Sequence, residues 1–330
     1  MNFKQLQQQI DNNAMANFYV VTGEEEILLR RTAFAFKQLV VPEDRDMNYS
    51  QFDLSDQPLD MVINDAMSAP FFGERRVIIV SKPLFLTATG KISDHDSDLL
   101  LQLLEKPLSE NIVVFFANNI KLDKRKKITK SLLKTSELVE LPVLDERQSK
   151  QAVVAELTQR DYQIMPDALN ELVMRTNAHY SDMQNELPKL IAYANKTKKI
   201  DLQAVSSLVP NTLTATAFTL VEAVIKNQQK AAVTIYRELL QNNEIALRIN
   251  AVLIGQFRLL LQVAGLSGNE ATIASQLKVH PYRVKLAKQI LKNHQLTNIR
   301  SGYLGMLNME RLLKSTQQDP EILFERFVLN

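Results

Sequence analysis

The spacing of apolar positions changes near residue 142, and that change divides the chain. Up to there, short continuous runs of β-branched and aromatic residues alternate with stretches of helical period, the pattern of an α/β domain on a mostly parallel sheet. Phe18-Tyr19-Val20-Val21-Thr22 is one such run and ends at Gly23. Glu24 to Leu39 then reads as a helix with carboxylates in its first turn, favourable for the macrodipole. Arg76 to Val80 and Ile112 to Phe116 have the uninterrupted apolar character of strands buried on both faces, and Leu138 to Leu141 supplies a further strand. Leu59, Val62, Ile63, Ala66 and Met67 recur at helical spacing from Pro58, a good first-turn residue, to a stop at Pro70.

Beyond Pro142 the pattern reads as purely helical. Glu146 to Arg160, Pro166 to Thr176 and Tyr180 to Tyr193 form a small module. Punctuation at Val209-Pro210-Asn211-Thr212 then precedes a helical bundle, where Leu247, Ala251, Ile254, Phe257 and Leu261 place a stripe on one long helix. The expected fold class is therefore α/β plus all-α, with domains at 1–142, 143–211 and 212–330.

Composition narrows the function. Of 330 residues, 45% are hydrophobic and 23% charged, ordinary values for a globular chain, and no segment reads as the ~18 apolar residues that span a bilayer. The start, MNFKQLQQQI, lacks the basic and apolar regions of a secretion signal, so a cytoplasmic location and no membrane partner are expected. Zero cysteines exclude disulfides, thiolate metal sites and thiol nucleophiles. A formal charge of +2, from 39 basic and 37 acidic residues, is a small excess for a self-sufficient nucleic-acid binder, so any DNA contact is expected to be shared with partners.

Nucleotide chemistry is the sharpest exclusion. A phosphate-cradling loop needs G-x-x-x-x-G-K-[ST], because backbone amides wrap the phosphates while Lys and a hydroxyl meet the terminal phosphate and magnesium. Gly23 stands where such a loop begins, but Glu24-Glu25-Glu26 follows, and its carboxylates repel phosphate. At Gly90-Lys91 the pattern fails twice, with Phe85 at the first glycine position and Ile92 at the hydroxyl position. G-x-G-x-x-G and G-x-S-x-G are absent, and His95, His179, His280 and His294 are scattered without metal-ligand spacing. Asp94-His95-Asp96-Ser97-Asp98 lacks calcium-loop spacing and reads as a helix start. No cofactor and no intrinsic catalysis are expected.

Two features read as contact surfaces. Lys124, Arg125, Lys126 and Lys127 follow a buried strand and either face DNA or an acidic partner or form a solvated helix start. Phe71 and Phe72 follow a helix-ending proline and precede Gly73-Glu74-Arg75-Arg76. They read either as rings folded into the sheet core or as an anchor presented to a partner.

Six stretches in order resemble the delta-subunit family of bacterial DNA polymerase III, nearly end to end: Phe18 to Glu25, Ala69 to Val77, Leu122 to Lys127, Asn185 to Leu190, Gln256 to Leu260, and Ile273 to Val284. The resemblance implies an AAA+-like first domain without a working nucleotide site, a small helical lid and a helical collar. It also implies assembly with gamma/tau and delta-prime in a heteropentamer, as part of a DNA-directed DNA polymerase complex that opens the beta sliding clamp for loading onto primed DNA without hydrolysing ATP itself. Phe71 and Phe72 match the family's clamp-binding tip, with Met67 and Pro70 flanking, although some relatives carry Leu-Phe there. A second reading remains: Thr272 to Leu277 and Pro281 to Lys285 have helix-turn-helix spacing, with Lys278, Arg283, Lys285 and Lys288 available to phosphates.

Overall fold

The computed structural model describes residues 1–329, whose contacts divide into one unit of Met1–Val143 and a second beginning at Leu144. In the first unit the chain runs through α1 (Phe3–Asp11), β1 (Phe18–Gly23), α2 (Glu26–Lys37), α3 (Arg45–Asn48), β2 (Tyr49–Asp53) and α4 (Leu59–Ala66). It continues through β3 (Arg76–Ser81), α5 (Asp94–Glu105), β4 (Asn111–Phe116), α6 (Lys127–Thr135) and β5 (Glu137–Leu141). The five strands are all parallel, in the order β2-β3-β4-β1-β5.

Strand alternation sends each apolar run to two cores at once. Phe18, Val20, Ile78, Val80, Val113 and Phe115 meet α4, α5 and α6 on one face; Tyr19, Val21, Val77, Ile79, Val114 and Phe116 meet α1 and α2 on the other. This is the parallel α/β domain expected from the apolar pattern. The apolar pattern does not predict α1, α3 or β2. Edge strand β2 carries Tyr49 and Phe52 among polar residues and is only half-buried, so it lacks the continuous apolar run of its neighbours. Helix α1 is short and glutamine-rich, yet a reciprocal Asn2–Gln5 capping box starts it and Leu6 buries it.

In the second unit come α7 (Glu146–Gln159), β6 (Gln163–Ile164), α8 (Pro166–Arg175), α9 (Tyr180–Tyr193), β7 (Lys199–Ile200) and α10 (Leu202–Leu208). After them follow α11 (Leu213–Ile225), α12 (Gln229–Gln241), α13 (Ala246–Ala264), α14 (Glu270–Leu277), α15 (Pro281–Asn293), α16 (Leu296–Ser315) and α17 (Pro320–Leu329). The region is not purely helical: β6 and β7 pair in parallel through Gln163–Lys199 and Ile164–Ile200. Runs of two residues carry no period that a sequence can show.

Helix α13 corrects the expectation of no apolar span. It is long and apolar enough to cross a membrane by length and composition. Its Ile249, Leu253, Phe257 and Leu260 are buried in the bundle core, and the Phe257 ring lies so close to Gly302 of α16 that a Cβ there would come within 2.5 Å of it. A core helix of a bundle explains its apolarity.

Candidate partner-binding tip

Helix α4 ends at Ala66, four residues before Pro70. Pro70 has no amide and disfavours helical geometry at Ala69, so the chain leaves the helix before it. The released carbonyls are taken up from below. Asn111, at the start of β4, donates through Nδ2 to the carbonyls of Ala66 and Ser68, both at 2.8 Å. The end of α4 is also tied to the sheet by Asp65, which pairs with Arg76 and accepts from the Ser50 hydroxyl.

The chain then turns through Phe71 and Phe72. Phe72 adopts a left-handed φ of 55°, uncommon for a bulky residue, and is 94% exposed; Phe71 is 53% exposed. The rings meet edge to face at 4.6 Å. The alternative of both rings in the sheet core is therefore ruled out by position. Met67 is exposed and Pro70 half-buried beside them, and Met47 and Met61 are further exposed apolar side chains of the same unit.

What holds this turn is Asn48, which sequence reasoning missed. Its side chain has no exposure and both accepts from and donates to one residue: Phe71 N donates to Asn48 Oδ1 at 2.7 Å, and Asn48 Nδ2 donates to Phe71 O at 2.9 Å. Gly73 permits that approach, since a Cβ there would lie 2.7 Å from Asn48 Nδ2 and 3.1 Å from an Asp44 carboxylate oxygen. A buried amide satisfying a backbone N–H and C=O rigidifies a turn that would otherwise be free.

At the opposite edge of the sheet, the carboxyl end of β1 is closed. Gly23 has φ 130°, and a Cβ on it would lie 2.0 Å from the Leu141 carbonyl oxygen. That same carbonyl accepts from Glu24 N at 3.1 Å and Glu25 N at 3.2 Å. The amides that a phosphate loop aims at its ligand are here bonded to the edge strand.

The basic run after β4 is divided. Lys126 is half-buried and donates to the carbonyls of Phe85 at 3.0 Å and Gly90 at 2.6 Å, a strut between two loops. Arg125 is exposed and binds Asp123 through two nitrogens at 2.9 Å; that hydrogen bonding holds the Asp123 carboxyl down to about 2. Lys124 and Lys127 are exposed. The Asp94–Asp98 segment is a helix start capped by Ser93, whose hydroxyl accepts from Asp96 N at 3.0 Å, and the described residues hold no metal-binding cluster.

Helices α14 and α15 form the expected helix pair, but three of its four candidate cations are engaged. Lys285 pairs with Glu146 at 2.5 Å, Arg283 donates to Gln256 Oε1 at 3.3 Å, and Lys288 donates to Gly268 O at 2.9 Å; Lys278, the fourth, is exposed. His280 is buried, caps α15 by accepting from Tyr282 N at 3.2 Å, and contacts Leu144 O at 2.8 Å. Burial pushes its pKa down, consistent with a neutral capping ring. A recognition helix needs free cations, and this pair spends three of those four inside its own unit.

Comparison with known proteins agrees with the sequence resemblance. The family model described as DNA polymerase III, delta subunit, matches residues 19–142, and that of the delta subunit's C-terminal domain matches residues 214–330. DNA polymerase III subunit delta of Bacillus subtilis is 33% identical over 94% of this chain and 91% of its own length. The solved structure of the Bacillus subtilis DNA clamp loader delta protein superposes with a TM-score of 0.77 at 31% identity, covering 99% of this chain and 98% of that one. This chain belongs to the DNA polymerase III delta subunit family.

Proposed function

We propose that this chain is the part of a bacterial clamp loader that grips the beta sliding clamp and favours its open form, with Phe71 and Phe72 as the anchor. The observation that carries the reading is the exposed aromatic pair on a buried asparagine mount: two large apolar rings held out in water cost free energy unless a partner covers them. Met67 and Pro70 flank the anchor on the clamp side. Residues 143–211 act as a lid and residues 212–330 as the collar that assembles with gamma/tau and delta-prime subunits in a heteropentamer acting on primed DNA in the cytoplasm.

The opening step needs no chemistry in this chain. A subunit that binds the ring better when one interface is sprung shifts its population toward opening by that difference in affinity. Gly23 and the occupied amides of Glu24 and Glu25 support the further reading that ATP is neither bound nor hydrolysed here and acts in the motor subunits instead.

Two measurements on the full chain test this. In a pull-down, the protein should retain a beta sliding clamp in the absence of ATP. By equilibrium dialysis or a fluorescent analogue, it should show no nucleotide affinity better than ~1 mM, the weak end of the affinity scale. Failure to hold the clamp sinks the grip, and tight ATP binding sinks the claim that the nucleotide site is closed.

A further inference from the structure

The last of the stretches that carry the family resemblance, Ile273 to Val284, has no part in the grip, and its place in the second unit gives it another use. Residues 144–211 and the helical bundle after them belong to that one unit. Yet the apolar core of the bundle, which runs from Ala217 to Val328, takes in no residue before Leu213. Polar bonds join the two parts at two places.

The first is where the chain crosses from one part to the other. Arg175, the last residue of α8, donates to Val209 O at 2.6 Å, and its own carbonyl accepts from Thr212 N at 3.2 Å. Asn177 Nδ2 donates to the Thr212 hydroxyl at 2.8 Å, and that hydroxyl caps α11 by accepting from Ala215 N. The crossing is therefore pinned to the turn between α8 and α9 and makes a pivot.

The second place holds the entry to α7. His280 Nδ1 accepts from Tyr282 N, so the neutral ring carries its proton on Nε2, which donates to Leu144 O at 2.8 Å. Five residues on, Lys285 pairs with Glu146, the first residue of α7, at 2.5 Å. His179, the residue that precedes α9, lies against the His280 ring with centroids 5.0 Å apart.

Both bonds are of kinds that give way at little cost. The Lys285–Glu146 pair is part-exposed, at 38% and 20% for the two side chains, and such a pair is weak and screened by salt. Glu146 keeps a second partner in Lys150 at 2.8 Å when Lys285 leaves. Leu144 is half-buried, so water can replace His280 at its carbonyl. A seam of shared apolar side chains would have to be exposed on opening, whereas polar bonds are exchanged for bonds to water.

We propose that His280 and Lys285 form a releasable latch of the collar on the lid, an inference that rests on reading the two parts as the lid and collar of a clamp loader. Closed, the latch holds the entry to α7. Released, the lid turns about the pivot at Arg175 and Thr212 while the bundle core stays intact. A subunit that must fit both a free and an assembled state needs a joint of this kind, with two arrangements close in free energy.

The test uses the full chain, which has no cysteine of its own, so that two introduced ones take spin labels cleanly. Lys196→Cys marks the lid and Lys230→Cys the collar, both at exposed positions. Pulsed electron spin resonance then reads the distance between them. Wild type in low salt should give one narrow distribution; in H280A/K285A it should broaden at least about twofold or gain a second distance. Raising salt from about 0.1 to 1 M, which shortens the Debye length from ~10 to ~3 Å, should move wild type toward the variant and leave the variant unchanged. Circular dichroism checks the fold. If the double variant unfolds, Lys285→Ala, which leaves the α15 cap in place, is read in its stead. A distribution that the substitutions do not alter overturns the latch, and so does a wild-type distribution indifferent to salt. Clamp retention is measured separately: its failure removes the clamp-loader reading, while the distances still judge the joint.

Discussion

Replacing both Phe71 and Phe72 with Ala should reduce affinity for the sliding clamp by at least about a thousandfold while leaving the fold and the assembly of the loader intact. Truncating one buried aromatic anchor at an interface costs ~2–4 kcal/mol, and tenfold in affinity corresponds to ~1.4 kcal/mol, so loss of two anchors predicts near-complete loss of binding. The cost to stability is small because the rings are solvent-facing in the free chain: Phe72 contributes almost nothing to a core, and Phe71 only part of one face. Removing their apolar area from water exposure can even be neutral. Surface plasmon resonance with immobilised clamp measures the first effect, thermal unfolding the second. Clamp affinity within a few-fold of wild type would remove the anchor role from this turn.

That pairing of effects distinguishes an anchor from a structural pair. Had the rings been buried beside Val77, as the other reading of the sequence allowed, the double substitution would cost several kcal/mol of stability and no specific affinity. Residue type alone left both readings open because Phe is among the residues most often buried. The deciding facts are the early end of α4 and the left-handed Phe72 backbone, neither of which follows from the local pattern of Ala69-Pro70-Phe71-Phe72-Gly73.

The strands were legible for the opposite reason. β1, β3 and β4 are buried on both faces, so their sequence carries the burial directly, whereas the edge strand β2 needs only half as many apolar positions and hides among polar ones. The basic run shows a further limit. Lys126 and Lys127 are adjacent and chemically identical, yet Lys126 turns inward to the Phe85 and Gly90 carbonyls and Lys127 outward to water. Charge is visible in a sequence, but which charge is already satisfied depends on loops some forty residues apart.

Asn48 shows the same limit, a residue whose role depends on a partner 23 positions away. Asn48→Ala should cost about 2–4 kcal/mol of stability, because two backbone groups of Phe71 lose their partner in a part-buried site and each such loss costs ~1–3 kcal/mol, softened where water reaches them. It should also weaken the clamp about ten- to a hundredfold although both rings remain. Binding must then order a turn that wild type presents ready-made, at ~0.5–1.5 kcal/mol for each side chain fixed. Asn48→Asp separates the two contributions. The carboxylate still accepts from Phe71 N but cannot donate to Phe71 O, and it places a charge near Asp44 across Gly73. Its loss of stability should therefore be greatest at neutral pH and shrink as acid protonates the new carboxyl and restores a donor. Unfolding by urea at several pH values gives the stability, and clamp affinity measured well below the unfolding midpoint gives the presentation effect. If Asn48→Ala loses stability but keeps wild-type clamp affinity, the mount holds the fold and does nothing for the grip. Loss of both, with both rings still in place, would tie the grip to the buried amide as well as to the rings it presents.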